Sequence, residues 1–159
     1  MTHQEPRRLT LLYQLYRTSQ ASRRFMRVAL ADAGMTGEEY AVCSYLYANG
    51  PRPLSQAARE FGLPITTLAD LLSSLVASGD VERLPHPRDR RARLLALTDA
   101  GRERLEHVIP EFTVAYRGLV AQLEEAGVDP EALYAALGDL RAGIVRTSDL
   151  LEAEREMRS

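Results

Sequence analysis

The stretch LSQAAREFGLPITTLADLLSSLVASG, residues 54–79, contains two short helical patterns separated by a turn. Ser55 is placed to cap a first helix that runs to Phe61, and Gly62-Leu63-Pro64 then interrupts the pattern. A second helix follows until Gly79, and apolar residues recur along one of its faces, at Leu68, Leu71, Leu72, Leu75 and Val76. Two short helices joined by a tight turn that contains glycine predict a helix-turn-helix.

The composition changes after this stretch. Residues 81–84 and 93–97 have the pattern of short strands, and the loop PHPRDRR between them, residues 85–91, contains two prolines that disfavour a helix. Two acids in residues 82–93 stand against five arginines, namely Arg83, Arg88, Arg90, Arg91 and Arg93. We therefore predict a β-hairpin wing with a basic tip over residues 81–97. Such a local patch favours nucleic acid even though the whole chain has a net charge of −2.

Long helical patterns flank this unit on both sides. A first helix is predicted over residues 7–31, and Thr36 with Glu39 forms the capping-box pattern of a second helix. After the wing, Thr98 caps a helix that ends near Gly127. A last helix begins at Asp129-Pro130-Glu131 and carries an apolar stripe, Leu133, Leu137, Leu140, Ile144 and Leu151.

The first and the last two helices carry more apolar surface than one small winged domain can cover. Pairing with a second copy of the chain is the natural way to bury it. The predicted fold class is therefore mainly α with a small β-hairpin wing, in a single domain over residues 1–159. Within it, residues 36–104 form the winged helix-turn-helix part, and residues 7–34 and 105–159 are dimerisation helices.

Several other classes of protein are excluded by composition. Cys43 is the single cysteine, and His3, His86 and His107 lack the spacing of a metal site. The chain has no nucleophile and base at recognisable spacing and no glycine-rich phosphate loop, so we expect neither an enzyme nor a cofactor. No apolar run approaches the roughly 20 residues that span a bilayer, and no signal region opens the chain, so a cytoplasmic protein without membrane contact is expected.

The sequence around the wing resembles that of the MarR family of bacterial transcriptional regulators. The resemblance is carried by Leu75, Gly79, Arg83, Pro87, Asp89-Arg90-Arg91-Ala92, Leu97-Thr98 and Gly101, and it extends to Leu54-Ser55-Gln56-Ala57-Ala58, Thr36, Tyr40 and Leu46. It implies a homodimer that binds a palindrome-like double-stranded DNA operator, commonly as a repressor that a small, often aromatic, ligand releases. The chain departs from the family at Asp70, where a basic residue is frequent, at Asp80, where an apolar residue is usual, and at His86, where an acid is usual.

The DNA-contacting residues follow from the helix-turn-helix and from the resemblance. If the leucine face of the second short helix points inward, its outer face is polar and lacks arginine. On that face, Asp70 either accepts a hydrogen bond from cytosine or pairs with an arginine such as Arg59. By resemblance, Arg91 enters the minor groove and Asp89 holds the wing in shape. The predicted contact set is Ser55, Gln56, Thr66, Thr67, Asp70, Ser73, Arg88, Asp89, Arg90 and Arg91.

Two further hypotheses concern regulation. The first two helices are rich in aromatic residues, and the resemblance implies a ligand pocket there, with Tyr16, Phe25, Tyr40 and Tyr45 as candidates. Ordinary aromatic packing explains the same residues equally well. Cys43 allows an alternative regulator of the thiol redox type, but the resemblance implies a position where the second helix usually buries a leucine. We therefore interpret Cys43 as a core residue.

Overall fold

The computed structural model describes residues 5–89 and 92–158. Within these residues the elements are α1 (Glu5–Ala29), α2 (Gly37–Asn49), β1 (Arg52–Pro53), α3 (Leu54–Phe61), α4 (Ile65–Ala77), β2 (Val81–Pro85), β3 (Arg93–Leu97), α5 (Asp99–Glu125) and α6 (Pro130–Glu156). The protein is mainly helical, and β2 and β3 form the hairpin that follows the helix-turn-helix. The predicted fold class, a winged helix-turn-helix with flanking helices, is confirmed.

The wing belongs to a small antiparallel sheet with the strand order β1-β3-β2. In the hairpin, Val81 pairs with Leu97 and Pro85 with Arg93, so the two strands match over their whole length. Strand β1 adds the pairs Arg52 with Leu95 and Pro53 with Leu94. The sequence does not predict β1, because two residues that include a proline are too short to show the alternation of a strand.

The helix starts agree with the sequence at three places and differ at a fourth. The Thr36 side chain accepts from the Glu39 N–H while the Glu39 carboxylate accepts from the Thr36 N–H, which completes the predicted capping box. Thr98 caps α5 and Asp129 caps α6, both as predicted. Ser55 as the cap of α3 is wrong: the cap is Pro53, which supplies no side-chain acceptor. Pairing of β1 with β3 holds the chain extended up to Pro53, so the helix begins one residue before Ser55.

Helix α4 supplies the centre of the core. Its residues Leu68, Leu72 and Leu75 are at most 1% exposed, whereas Val76 lies at the edge of this face and is 36% exposed, so it is not the core residue that the pattern indicates. The surrounding elements contribute the other buried side chains of the cluster, among them Val42, Cys43, Leu46, Ala57, Ala58, Val81, Leu95 and Leu105. The core thus fixes α4 against α2, α3, the sheet and the start of α5.

The chain forms two compact units, Met1–Thr113 and Val114–Ser159, and the boundary falls inside α5. In the second unit, α6 has no buried residue. Among the described helices, none alone is long and apolar enough to cross a membrane, and α3 with α4 meets that length and composition only as a pair bent by 112°. The described residues also contain no cluster of His, Cys, Asp or Glu that could hold a metal ion.

Candidate nucleic-acid interface

Helix α4 turns a polar face to the solvent. The residues of this face are all exposed: Thr66, Thr67, Asp70, Ser73 and Ser74. The opposite face is the leucine face of the core, so the inward orientation on which the predicted contact set depends is the observed one. The Ser73 hydroxyl donates to the Ala69 carbonyl at 2.8 Å, which leaves its oxygen lone pairs available to accept a hydrogen bond.

The first turn of α4 has the chemistry of a phosphate-binding end. Its cap is Pro64, which has no side chain that accepts a hydrogen bond, so the first backbone N–H groups lack a side-chain acceptor. The exposed hydroxyls of Thr66 and Thr67 lie in the same turn. A helix N-terminus with free N–H groups and adjacent hydroxyls can bind a DNA phosphate without any basic side chain.

Asp70 lies in the middle of this exposed face. Among the residues that the structure describes, its carboxylate makes no hydrogen bond or ion pair, so the proposed pairing with Arg59 is not observed. A carboxylate facing DNA is repelled by phosphate unless it accepts a hydrogen bond from a base, and the exocyclic amine of cytosine is the usual donor. The arrangement therefore leaves Asp70 available for base contact.

The two predicted contact residues of α3 have different surroundings. Ser55 is exposed in the first turn. Gln56 is half-buried, and its side-chain amide donates to the Glu60 carboxylate at 3.0 Å along the same helix. Gln56 would have to leave Glu60, or use its other amide hydrogen, to reach a phosphate.

The wing tip is organised by an imidazole. Nδ1 of His86 accepts from the backbone N–H groups of Arg88 at 3.2 Å and Asp89 at 3.1 Å. The Ala92 N–H donates to the Asp89 carbonyl at 3.1 Å, which closes the turn. Arg88 and Asp89 are exposed, and the predicted contacts Arg90 and Arg91 lie outside the described residues. His86 thus supplies the acceptor that orders this turn, a role that the sequence alone did not predict.

Replacing His86 with alanine is expected to weaken DNA binding about three- to tenfold, because two backbone N–H groups lose their acceptor and the wing turn becomes less ordered before binding. His86→Asn is the matched control, since its side-chain oxygen can accept from the same turn. Fluorescence anisotropy with a labelled duplex measures both. Equal losses in the two variants would contradict the acceptor role.

The base of the wing is held by a buried carboxylate. Asp80 is 4% exposed, and its Oδ2 accepts from the Ser78 hydroxyl at 2.5 Å and from the Arg104 guanidinium, which also donates to the Gly34 carbonyl. The Thr98 N–H donates to the Asp80 carbonyl at 3.0 Å. Asp80 stands out in the sequence as a departure from the family that the chain resembles. No local pattern predicts that its partner is Arg104, 24 residues further along the chain.

The four candidate ligand residues do not lie together. Phe25 and Tyr40 both pack on Phe112 of α5, with ring centroids 6.2 Å and 4.5 Å from it. Tyr45 packs instead on Phe61, at 5.3 Å, and Tyr16 is 63% exposed. Burial raises the pKa of Tyr40, and the nearby Ser44 hydroxyl opposes the rise. Phe25, Tyr40 and Phe112 therefore form an aromatic cluster, and Phe112 is the member that was not predicted from the sequence.

Cys43 is a core residue, as predicted. The side chain is fully buried, and this burial raises the pKa of the thiol to about 11, with Asp80 adding to the rise and Arg104 opposing it. A thiol with this pKa is protonated at neutral pH, and the thiolate is the form that oxidants attack. The environment of Cys43 thus disfavours the thiol redox alternative.

The raised pKa of Cys43 predicts a pH dependence of stability. The folded state holds the thiol proton more tightly than the unfolded state, whose cysteine pKa is about 8.5. Its contribution is therefore fully present below about pH 8.5 and is lost as the pH rises through about 11. Urea denaturation between pH 7 and pH 10.5 should show a steeper loss of stability for the wild type than for Cys43→Ala. Parallel curves would contradict it.

The fold and this surface place the chain in the class of winged helix-turn-helix transcriptional regulators. No protein-family model matches the chain. Proteins of similar sequence include uncharacterized HTH-type transcriptional regulators of Bacillus subtilis (strain 168). YhbI is 26% identical over 128 residues, 78% of this chain and 82% of that protein. YkoM is 27% identical over 114 residues, 64% of this chain and 74% of that protein.

Solved structures with a similar fold indicate the same class of protein. The transcriptional repressor CouR, bound to a 23-mer DNA duplex, matches with a TM-score of 0.72 and 25% identity over 88% of this chain and 97% of that chain. Reduced AbfR bound to DNA matches with a TM-score of 0.61 and 27% identity, over 79% and 96% of the two chains. MarR from E. coli shares the fold, with a TM-score of 0.63 and 21% identity, over 84% and 96%. These neighbours are MarR-family regulators, which confirms the resemblance and indicates a MarR-type DNA-binding transcriptional regulator rather than an enzyme.

Proposed function

We propose that this protein is a homodimeric repressor of the bacterial cytoplasm that binds a palindrome-like operator and that a small molecule releases it. The observation that carries the proposal is the surface of α4: its leucine face anchors the helix in the core, and its polar face exposes hydroxyls and the Asp70 carboxylate, which pairs with none of the described residues. Such a helix fits the major groove when a basic wing supplies phosphate contacts beside it. The DNA complexes of CouR and AbfR support double-stranded DNA as the partner.

The wing supplies the basic component. Arg83, Arg88 and Arg93 are exposed on or beside the hairpin, and by sequence Arg90 and Arg91 add two further charges at its tip. Each arginine that neutralises a phosphate releases counterions, so affinity depends steeply on salt. Arginine in a narrow minor groove gains further from the enhanced negative potential there. We assign the minor-groove contact to Arg91 and phosphate contacts to Arg88 and Arg90.

The dimer is supported by the apolar residues that the flanking helices leave exposed. In α6 three of them recur every seven residues, the repeat of a helix–helix seam, with exposed fractions of 47% at Leu137, 44% at Ile144 and 53% at Leu151. In α1, Leu11, Leu12 and Tyr16 are more than half exposed. We propose that residues 7–34 and 105–159 pair with a second copy and that residues 36–104 bind DNA. Two-fold symmetry then spaces the two α4 helices by about 34 Å, one helical turn of DNA.

The effector is proposed to be a small aromatic molecule. The aromatic cluster of Phe25, Tyr40 and Phe112 supports this, because aromatic rings at such distances stack favourably with a further ring. A half-buried phenol at Tyr40 adds a polar group that could fix the orientation of a ligand. Release of DNA by a panel of phenolic acids, compared between the wild type and Phe112→Ala, tests the assignment.

The test of the proposed function is binding of the full-length protein to its own upstream DNA over a salt series. We expect specific binding of one dimer per palindromic site. For Arg88→Ala we expect a salt slope about one unit shallower. Arg146→Ala removes the same charge from α6 and is the matched control, for which an unchanged slope is expected. Wild-type binding no tighter than to random DNA would overturn the proposal.

A further inference from the structure

We propose that Asp80 and Arg104 form a latch that couples the wing to the α1–α2 junction and so sets the position of the wing for DNA. Asp80 begins the segment that leads into β2, Arg104 lies in the second turn of α5, and Gly34 lies in the turn between α1 and α2. One guanidinium joins all three, because Nη1 donates to the Asp80 carboxylate and Nη2 to the Gly34 carbonyl. The inference rests on the proposed function only for its effect on DNA binding.

The latch holds both strands of the hairpin at one point. The Asp80 carbonyl accepts the Thr98 N–H at 3.0 Å, and the Thr98 hydroxyl donates to the Gly79 carbonyl at 2.6 Å. The start of β2 is therefore tied to the end of β3. The wing tip lies five strand residues away, about 17 Å at 3.3 Å per residue. A small rotation at Asp80 therefore moves the tip by a larger distance.

Stability alone does not account for an ion pair at this place. The Asp80 side chain is 6% exposed and that of Arg104 is 31% exposed, so both charges have lost much of their hydration. A well-packed apolar pair commonly stabilises a protein as much as a buried ion pair or more. What the ion pair adds is direction: the planar guanidinium donates to fixed acceptors in one geometry. We therefore assign to Asp80 and Arg104 a positioning role.

The other end of the latch lies where α1 meets α2. Gly37 begins α2 so close to α1 that a Cβ added there would lie 2.8 Å from the Met26 Cβ, so α1 and this junction cannot move independently. Phe25, which belongs to the aromatic cluster, is the neighbouring residue of α1. A displacement of α1 would shift the Gly34 carbonyl and, through Arg104, the base of the wing.

The latch can be tested without DNA by amide hydrogen exchange on the full-length protein. In Arg104→Met, exchange should become about tenfold faster or more both at residues 34–36 and in β2 and β3, because one side chain serves both places. Arg102→Met is the matched control on the same helix, since Arg102 stacks on Tyr47 at 5.0 Å and does not contact Asp80. Unchanged exchange in the wing of Arg104→Met would overturn the latch, whatever the result of the upstream-DNA test.

A second measurement separates positioning from stability. Asp80→Leu with Arg104→Met replaces the ion pair by apolar side chains, and we expect the melting temperature to return close to the wild-type value. Affinity for the upstream duplex should nevertheless remain about tenfold weaker, since the directional contacts are absent. Full recovery of affinity together with the melting temperature would overturn the proposal. If the variants with Met at position 104 fail to fold, Arg104→Lys replaces them. Lysine keeps a positive charge beside Asp80 but lacks the planar guanidinium that donates to two acceptors. Amide exchange in Arg104→Lys that equals the wild-type exchange, at residues 34–36 and in the wing, would overturn the proposal.

Discussion

Replacing Gly101 with alanine is expected to destabilise the protein by about 2–4 kcal/mol, although the same change inside a helix normally stabilises by up to about 1 kcal/mol. Gly101 is buried in the first turn of α5, where an added Cβ would lie 2.0 Å from the Asp80 carbonyl oxygen and 2.7 Å from its carbon. These are backbone atoms that form part of the wing base, so neither side can give way cheaply. Thermal denaturation should show a melting temperature lower by about 6–12 °C.

The control is Gly118→Ala in the same helix. An added Cβ at Gly118 meets no atom within 4 Å, so this variant should be as stable as the wild type or more stable by up to about 1 kcal/mol. The contrast between two glycines of one helix isolates the close approach from helix propensity. A Gly101→Ala protein that melts with the wild type would show that the α4–β2 junction is not packed against α5 as described.

The double substitution Leu137→Glu with Ile144→Glu is expected to separate the proposed dimer and to weaken binding to its proposed operator by about 100-fold or more. Both residues lie on the exposed apolar stripe of α6, and burying two carboxylates in a helix–helix seam is strongly unfavourable. A monomer then binds one half-site and loses the gain from simultaneous engagement of two. Analytical ultracentrifugation measures the assembly, and anisotropy with a palindromic duplex measures the affinity.

The same added charge on the opposite side of α6 provides the control. Ala135 and Ala153 are exposed and lie about 200° around the helix from the stripe, so Ala135→Glu with Ala153→Glu should remain dimeric. It should also keep operator affinity within about threefold, because long-range repulsion of DNA by exposed charge is screened at physiological salt. A dimeric Leu137→Glu, Ile144→Glu protein would refute α6 as the dimer surface.

The helix-turn-helix was predictable because its signals are local. Gly62 adopts a left-handed conformation after α3, with φ of 64°, and the leucine spacing of α4 matches the buried face that the core requires. The prediction that Ser55 caps α3 failed because the interaction that decides where α3 begins is not local. Strand β1 extends the chain up to Pro53 by pairing with Leu94 and Leu95, some 40 residues away, and no capping preference at position 55 competes with that pairing.

The candidate site likewise has some features that the local sequence predicts and others that depend on the folded chain. The exposure of Thr66, Thr67 and Asp70 followed from the period of the helix, so the sequence sufficed to predict it. The use of His86 as an acceptor depends on the backbone of the following turn, whose hydrogen bonds exist only once the hairpin has formed. Phe112 entered the aromatic cluster because α5 returns beside α1 and α2, which spacing along one helix cannot reveal.

By itself, the sequence determined the order of the helices, the hairpin wing, the helix caps at Thr36, Thr98 and Asp129, and the polar face of α4. These depend on interactions within a few residues, so periodicity, caps and glycines are enough to specify them. Only the tertiary structure decided that Asp80 is buried, that Arg104 joins it to Gly34, and that Gly101 must lack a side chain. The physical reason is that a buried charge is tolerated only beside its partner, and that partner becomes a neighbour only when the chain has folded.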